Sequence, residues 1–310
     1  MYMSVSQAAL QWGISERRVR ILCAEGRVDG VIRNGWAWNI PLDASKPGDG
    51  RQLRHLKNDD LRVGSINLSA LEKAQEEFLT LQKDSEFVMR MYRQAAFRFT
   101  LSTFVYEGLD LGHEDLALLF SGCFSSSVSF DTQLLALNTR SILLRLVQES
   151  GLGPVGGGVR HTPFYTESRL LQLYRTLLQG IDDEAGSYRR VEASEQRSLS
   201  VKTSMEILLT QYEREWSALH PLVRALFLFG ELLRIRPFGR YDAIFASLAL
   251  AGELLNSGFP PVFVDVSMLD EFKAALLLTR TRGNYQNTLR MLEQSLQHEF
   301  ALLLRKESST

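Results

Sequence analysis

The stretch Arg234-Ile-Arg-Pro-Phe-Gly-Arg-Tyr-Asp-Ala-Ile-Phe-Ala-Ser-Leu-Ala-Leu250, followed by Gly258-Phe-Pro-Pro261, decides the reading of this chain. A helical pattern over Leu219–Ile235 precedes it and another over Ala243–Asn256 follows its first residues, so a short turn carrying Arg236, Pro237, Phe238, Gly239, Arg240, Tyr241 and Asp242 joins two helices. The longest apolar runs of the sequence, Ala225–Leu233 and Ile244–Leu255, lie within these helices. Each is short or interrupted by Glu231 or Glu253, so neither reads as a membrane span.

Outward from this turn, everything after about Leu61 is helical in pattern. Leu71, Ala74, Phe78 and Leu81 form one stripe, a longer helix runs over Phe87–Glu107, and Gly108-Leu-Asp-Leu-Gly112 breaks the chain before His113–Phe120. Further helices are expected at about Asp131–Gln148, Glu167–Gln179, Val201–Ser217, Leu269–Thr281 and Tyr285–Phe300. Pro154-Val-Gly-Gly-Gly-Val159 reads as a flexible loop.

The first 47 residues have a different character. Ser4 and Ser6 are candidate caps for a short helix carrying Ala8, Ala9, Leu10 and Trp12, and Gly13 ends it. Ser15 caps a second helix whose buried stripe is Val19, Leu22 and Cys23, which is helix-turn-helix spacing. Arg17 and Arg20 fall off that stripe and Arg18 lies near its edge, so all three can reach a major groove or its phosphates. Val28–Pro41 then reads as two short strands around Asn34-Gly35, a wing with Arg33 and Trp36 at its tip, while Trp38 reads as core. Asp43–Arg51 is a polar Pro/Gly cluster, which sets the expected division at residues 1–47, a linker over 48–60 and a body over 61–310.

Charge follows the same division. Residues 1–57 hold nine of the 35 basic side chains and five of the 36 acidic ones, so a basic head sits on an acidic body and an anionic partner is expected for the head. Apolar residues make up 45% of the 310, enough for one large core with a small accessory domain. Cys23 and Cys123 are too few for a disulfide framework and read as small buried hydrophobes in a reducing compartment. Without a signal-peptide pattern at Met1–Gln7, the expectation is a cytoplasmic protein.

Two resemblances extend this reading. The head, through Ser4-Val-Ser-Gln-Ala-Ala9, Gly13-Ile-Ser-Glu-Arg-Arg-Val-Arg20 and Trp38-Asn-Ile-Pro41, resembles the winged helix-turn-helix of the MerR/excisionase type, which implies contact with double-stranded DNA through Arg17, Arg18, Arg20, Arg33 and Trp36. The body resembles the Fic family, an all-helical fold whose active members read His-Pro-Phe-x-Asp/Glu-Gly-Asn-Gly-Arg-x-x-Arg, followed by a helix and a Gly-aromatic-Pro-Pro turn. Here Pro237, Phe238 and the spacing fit. Arg236 stands at the general-base His and Arg240 at the acidic magnesium ligand. Tyr241, Asp242 and Ala243 replace Gly-Asn-Gly, and Ile244 and Ser247 replace the two arginines. Thr103-Phe-Val-Tyr-Glu107-Gly108 resembles the family's inhibitory helix, Gly180–Arg189 the opening of its flap, His220-Pro-Leu-Val-Arg-Ala225 the helix leading into the signature, and Arg282-Gly-Asn-Tyr285 the turn before the last core helix.

The resemblance implies a Fic-like scaffold with a dismantled catalytic site. A guanidinium stays protonated and cannot act as a general base, and Arg240 cannot hold a metal. Tyr241 and Ala243 add side chains where backbone must approach phosphate, and Asp242 adds like charge. Neither a cofactor nor a metal is therefore expected, and the altered site argues against nucleotide binding. Glu107 lacks its family partner at Ser247, which leaves these alternatives: a pair with Arg236, a pair with Arg240, or an ordinary cap or surface carboxylate near Gly108. The expected fold class is mainly α, a small winged helix-turn-helix followed by an all-helical Fic-like domain. The expected function is that of a DNA-binding transcriptional regulator whose degenerate Fic-like domain serves dimerisation, partner binding or ligand sensing. Two rivals stand beside it: a divergent nucleotidyl or phosphoryl transferase acting on protein hydroxyls, and an interaction protein whose head binds protein.

Overall fold

The structure is a computed structural model that describes residues 2–24, 28, 30–35, 37–42, 44, 46, 68–81, 84–150, 163–190 and 200–304. Trp36, the expected linker 48–60 and the glycine-rich loop 154–159 lie outside the described residues. Backbone contacts divide the chain into two compact units, residues 1–55 with 190–204, and residues 56–189 with 205–310.

In the N-terminal unit, β1 (Tyr2–Met3) leads into α1 (Val5–Trp12) and α2 (Glu16–Ala24), and β2 (Ile32–Asn34) and β3 (Ala37–Pro41) follow. Ser4 begins α1 with a reciprocal capping box: its hydroxyl accepts the Gln7 N–H at 3.3 Å while Gln7 Oε1 accepts the Ser4 N–H at 2.8 Å. Gly13, at φ 62°, ends the helix in the left-handed conformation, and Ser15 Oγ accepts the Arg18 N–H to begin α2. The sheet order is β1-β3-β2, all antiparallel. Its hairpin differs from the sequence expectation by one step. The ladder includes the Asn34–Ala37 pair, so Asn34 ends β2 as a paired strand residue, and Gly35, at φ 60°, follows it. A two-residue strand is too short to show a period, which is why β1 was not expected. Met3, Val5, Ala8, Trp12, Val19, Leu22, Cys23, Val28 and Ile40 form the core of this unit, with Trp38 packed against it.

The other helices are α3 (Ser69–Leu81), α4 (Ser85–Glu107), α5 (His113–Phe120), α6 (Phe130–Glu149), α7 (Glu167–Leu177), α8 (Val201–Arg214), α9 (Pro221–Ile235), α10 (Asp242–Asn256), α11 (Leu269–Arg282) and α12 (Gln286–Leu303). The chain is mainly helical, with strands only in the N-terminal unit among the described residues. At the centre lies α10, every residue of which is buried; it packs on α9, α6, α4 and α7. Its sequence, Asp242-Ala-Ile-Phe-Ala-Ser-Leu-Ala-Leu-Ala-Gly-Glu-Leu-Leu-Asn256, is apolar on all sides, as a helix enclosed by others must be. Its partner α9 is buried at every position except Pro221 and Arg234, has Pro221 in its first turn, and is capped by His220 Nδ1, which accepts the Leu222 N–H at 3.2 Å.

Polar groups also reach this centre. Arg224 on α9 and Glu253 on α10, 1% and 0% exposed, form an ion pair with Nε and Nη2 each 2.6 Å from Oε1. The other carboxylate oxygen accepts the Tyr212 hydroxyl from α8, and Tyr212 Oη accepts the Phe164 N–H at 2.7 Å, so the pair is enclosed in a hydrogen-bonded network. No described helix is long and apolar enough to cross a membrane. One cysteine departs from expectation. Cys23 is buried, but Cys123 is exposed, because it sits in the α5–α6 connection just after Gly122 rather than on a helix face.

Candidate functional site

The α9–α10 turn is built on two non-glycine residues in the left-handed region, Arg236 (φ 50°) and Tyr241 (φ 55°), with Gly239 at φ 81° between them. Each of the two non-glycines costs about 1–2 kcal/mol of backbone strain. Asp242 offsets part of that cost: its carboxylate accepts the Phe238 N–H at 3.1 Å and the Gly239 N–H at 2.8 Å. Arg236 folds back over the same turn, with Nη2 donating to the Gly239 carbonyl at 3.2 Å and Nε 3.8 Å from Asp242 Oδ2. From outside, Arg189 clasps the end of α9. Its N–H donates to the Pro237 carbonyl at 2.9 Å and its Nε to the Arg236 carbonyl at 2.8 Å, a cation at a helix C-terminus. Phe238 is buried beneath the turn and stacks on Tyr174 with ring centroids 3.6 Å apart, while the Tyr174 hydroxyl donates to the Arg240 carbonyl at 3.1 Å.

The N-terminus of α10 is capped from a distant part of the sequence. Tyr241, in the cap position, makes no side-chain cap bond. Instead Glu107, the last residue of α4, places Oε2 2.8 Å from the Ala243 N and 3.4 Å from the Ile244 N, accepting both N–H groups at the positive end of the helix dipole. Gly108, at φ 86°, turns the chain away directly after it. Burial pushes the Glu107 carboxyl above its ordinary range. The amides of Ala243 and Ile244 oppose that rise, the nearby Asp242 charge adds to it, and Arg236 counters it. Asp242 is raised in the same way, by burial against its two amide bonds and the charges of Arg236 and Arg189.

Beside these groups lies a cleft of about 460 Å³ with Glu107, Arg236, Asp242, Ala243, Tyr106 and Lys273 on its walls. Solved structures that match the chain are Fic proteins. Fic-1 from C. elegans matches with a TM-score of 0.63 and 22% identity, over 76% of this chain and 70% of that one. A Fic domain containing signaling protein from Bacteroides thetaiotaomicron gives 0.58 and 18% over 74% and 96%. A Fic family protein from Desulfovibrio desulfuricans gives 0.53 and 16% over 80% and 78%. The helical body has the Fic fold. No protein-family model matches the sequence, and no curated protein matches it significantly.

Within the Fic-fold body, the residues singled out from the sequence divide into two groups. Glu107, Arg236, Asp242 and Ala243 meet at the cleft, with Pro237, Phe238 and Gly239 in the turn behind them. Arg240 does not join them: its Nη2 donates to the Tyr241 hydroxyl at 2.6 Å and its guanidinium stacks 4.5 Å above that ring. Ile244 and Ser247 are buried at 0% and 8% exposure. Thr103, one turn before Glu107, is buried and bonds its own helix, donating to the Phe99 carbonyl at 2.8 Å. None of the alternatives left open for Glu107 describes what the structure has: its carboxylate accepts the Ala243 and Ile244 N–H groups, 136 and 137 positions away, at the start of α10. Arg236 bonds Gly239 and Asp242 instead, and Arg240 bonds Tyr241.

Lys273 of α11, 5.4 Å over the Tyr106 ring, and the clasping Arg189 were missed as site residues. Arg189 carried a signal in the Gly-x-Tyr-Arg motif, whereas Lys273 is one exposed-type lysine on a helix and carried none. Among the described residues no group of three or more His, Cys, Asp or Glu is arranged to hold a metal. On the N-terminal unit, Arg17 and Arg20 are exposed and Arg18 is half-buried. Arg20 Nη2 lies 2.7 Å from Glu16 Oε2, and Arg33 is exposed with its guanidinium 5.3 Å over the Trp38 ring.

Proposed function

We propose that this protein is a DNA-binding transcriptional regulator, in which the N-terminal unit contacts double-stranded DNA and the Fic-fold body is a dimerisation, partner or ligand module that does not transfer nucleotide. One observation carries the first part. Arg17 and Arg20 are exposed on α2, opposite the buried Val19, Leu22 and Cys23, and Arg33 is exposed on the hairpin that follows. A second helix entered through a tight turn, basic on its outer face and followed by a hairpin, has the form of a winged helix-turn-helix reading a major groove. Guanidinium groups are permanently charged and match guanine edges and phosphates bidentately. The Arg20–Glu16 pair is an exposed i,i+4 contact, weak enough to yield to a phosphate.

The second part rests on the turn. A site for phosphate at a helix N-terminus depends on free backbone amides, and here Glu107 holds those of Ala243 and Ile244 while Asp242 holds those of Phe238 and Gly239. Arg236 cannot accept a proton from a hydroxyl. The test of the DNA reading is selection of bound sequences from random duplex DNA with the full chain, followed by affinity measurements across salt concentrations. A specific site should emerge, with two half-sites about one helical turn apart. Arg17→Ala/Arg20→Ala should weaken binding at least ~10-fold and flatten the salt dependence. A chain that binds no duplex at low salt, or a double variant that binds equally well, overturns the reading. The cleft beside Glu107, with cationic Arg236 and Lys273, favours a divergent nucleotidyl or phosphoryl transferase as the second reading. Labelled ATP with Mg²⁺ or Mn²⁺ decides it: no label should move in the wild type or in Glu107→Gly.

A further inference from the structure

At the entry to α2, three side chains from two helices are tied together. Glu16 is the first residue of α2, and its carboxylate is held from both sides: the Ser6 hydroxyl of α1 donates to Oε1 at 3.0 Å, and Arg20 Nη2, one turn along α2, donates to Oε2 at 2.7 Å. The Arg20 and Glu16 side chains are 57% and 45% exposed, so the group lies at the surface of the N-terminal unit. An ionised carboxylate offers about four lone-pair sites, and two are used among the described residues.

An acidic residue in the first turn favours the helix dipole wherever its side chain points. The dipole does not account for the tether to Ser6, ten residues upstream, which fixes the carboxylate relative to α1. Held in this way, the side chain has little freedom left to lose when a further donor reaches it.

We propose that Glu16 is a specificity-determining residue that accepts a hydrogen bond from the N4 amino group of a cytosine in the major groove, while Arg20 takes the guanine beside it. The proposal rests on the DNA reading above and adds the base that an acceptor at this position selects. N-terminal residues of the second helix are the ones that meet base edges. Of the four bases, the polar groups of guanine and thymine in that groove are all acceptors, which repel a carboxylate, and adenine sets its N6 donor beside the N7 acceptor. Cytosine presents a donor alone. Arg20 supplies the donor fork that matches guanine O6 and N7. The two side chains touch at 2.7 Å, less than a base step of about 3.4 Å, so they meet one C·G pair or two neighbouring ones. At any other sequence the carboxylate finds no donor and opposes the phosphates, which disfavours the wrong sites.

Selection of bound sequences from random duplex DNA, run in parallel with the full chain as wild type, Glu16→Gln and Glu16→Ala, reads the base directly. One position of the wild-type half-site should be cytosine, and replacing it should weaken binding about 5-fold or more. Glu16→Gln keeps the size and adds an amide donor, so that position should become adenine; in Glu16→Ala it should become degenerate. Both variants should bind a duplex lacking the site about 2-fold or more tighter, which lowers the ratio of specific to non-specific binding. Glu16 is partly exposed, so far-UV circular dichroism and the melting temperature should be unchanged. Ser6→Ala keeps both charges and releases only Oε1; it should blur the cytosine preference without moving it to adenine. A carboxylate that serves only the helix terminus carries no sequence information, so the same base selected by wild type and both Glu16 variants overturns the proposal and leaves the DNA reading standing. A wild type that binds no duplex overturns both.

Discussion

Glu107 and Asp242 each commit a carboxylate to two backbone amides of one turn. Glu107→Ala, which leaves the first turn of α10 without its acceptor, should cost about 1 kcal/mol of stability in urea unfolding. Glu107→Gln keeps an acceptor oxygen but cannot ionise. Burial raises the Glu107 carboxyl above the ordinary 4.5, so folding favours the protonated form: its contribution is full below the unfolded value and declines as pH rises through the folded one. Relative to wild type, Glu107→Gln should therefore gain stability as pH is raised from about 4 to about 7; a difference that stays flat or reverses would refute the assignment. At Gly252 an added Cβ would clash with the Tyr165 hydroxyl. Gly252→Ala should cost about 1–3 kcal/mol, and pairing it with Tyr165→Phe should recover part of that loss in a double-mutant cycle. The resemblance of Thr103–Gly108 to the inhibitory-helix motif marked Glu107 as a residue of interest, but its acceptor role could not be read from neighbouring residues, because the amides it serves lie 136 and 137 positions away.

At the scale of elements, the expected helices were legible wherever local chemistry punctuates them. Gly13 and Gly108 stop α1 and α4, Pro221 starts α9, and the stripe Leu71, Phe78 orients α3. Misses arose where the controlling interaction is not local: the strand β1, defined only by its pairing with β3, and the exposure of Cys123. The buried ion pair between α9 and α10 is of the same kind, since Arg224 and Glu253 read as surface residues until their helices are brought together. Removing one partner leaves the other charge without compensation in the core, so Arg224→Met should lower stability by about 3–5 kcal/mol. Arg224→Met/Glu253→Leu should cost distinctly less than that single change, as measured by urea denaturation.

For the whole molecule, the two compact units differ greatly in size, and unfolding enthalpy scales with residue number. Calorimetry of the full chain should resolve two transitions, and Gly252→Ala should shift only the one of larger enthalpy; a single transition that moves as a whole would show the units to be energetically coupled. The Fic fold itself was readable from motif order along the chain, because the spacing between helices survives even where the chemistry of the signature does not. The cap of α10 has one more consequence. A dissolved anion reaching that helix must displace a carboxylate that is part of the same polypeptide. Such a tethered competitor acts at an effective concentration of roughly millimolar or above, never diffuses away and is made one per chain. The molecule is thus permanently saturated with a ligand of its own making, and any outside anion binds with an affinity discounted by that standing occupancy.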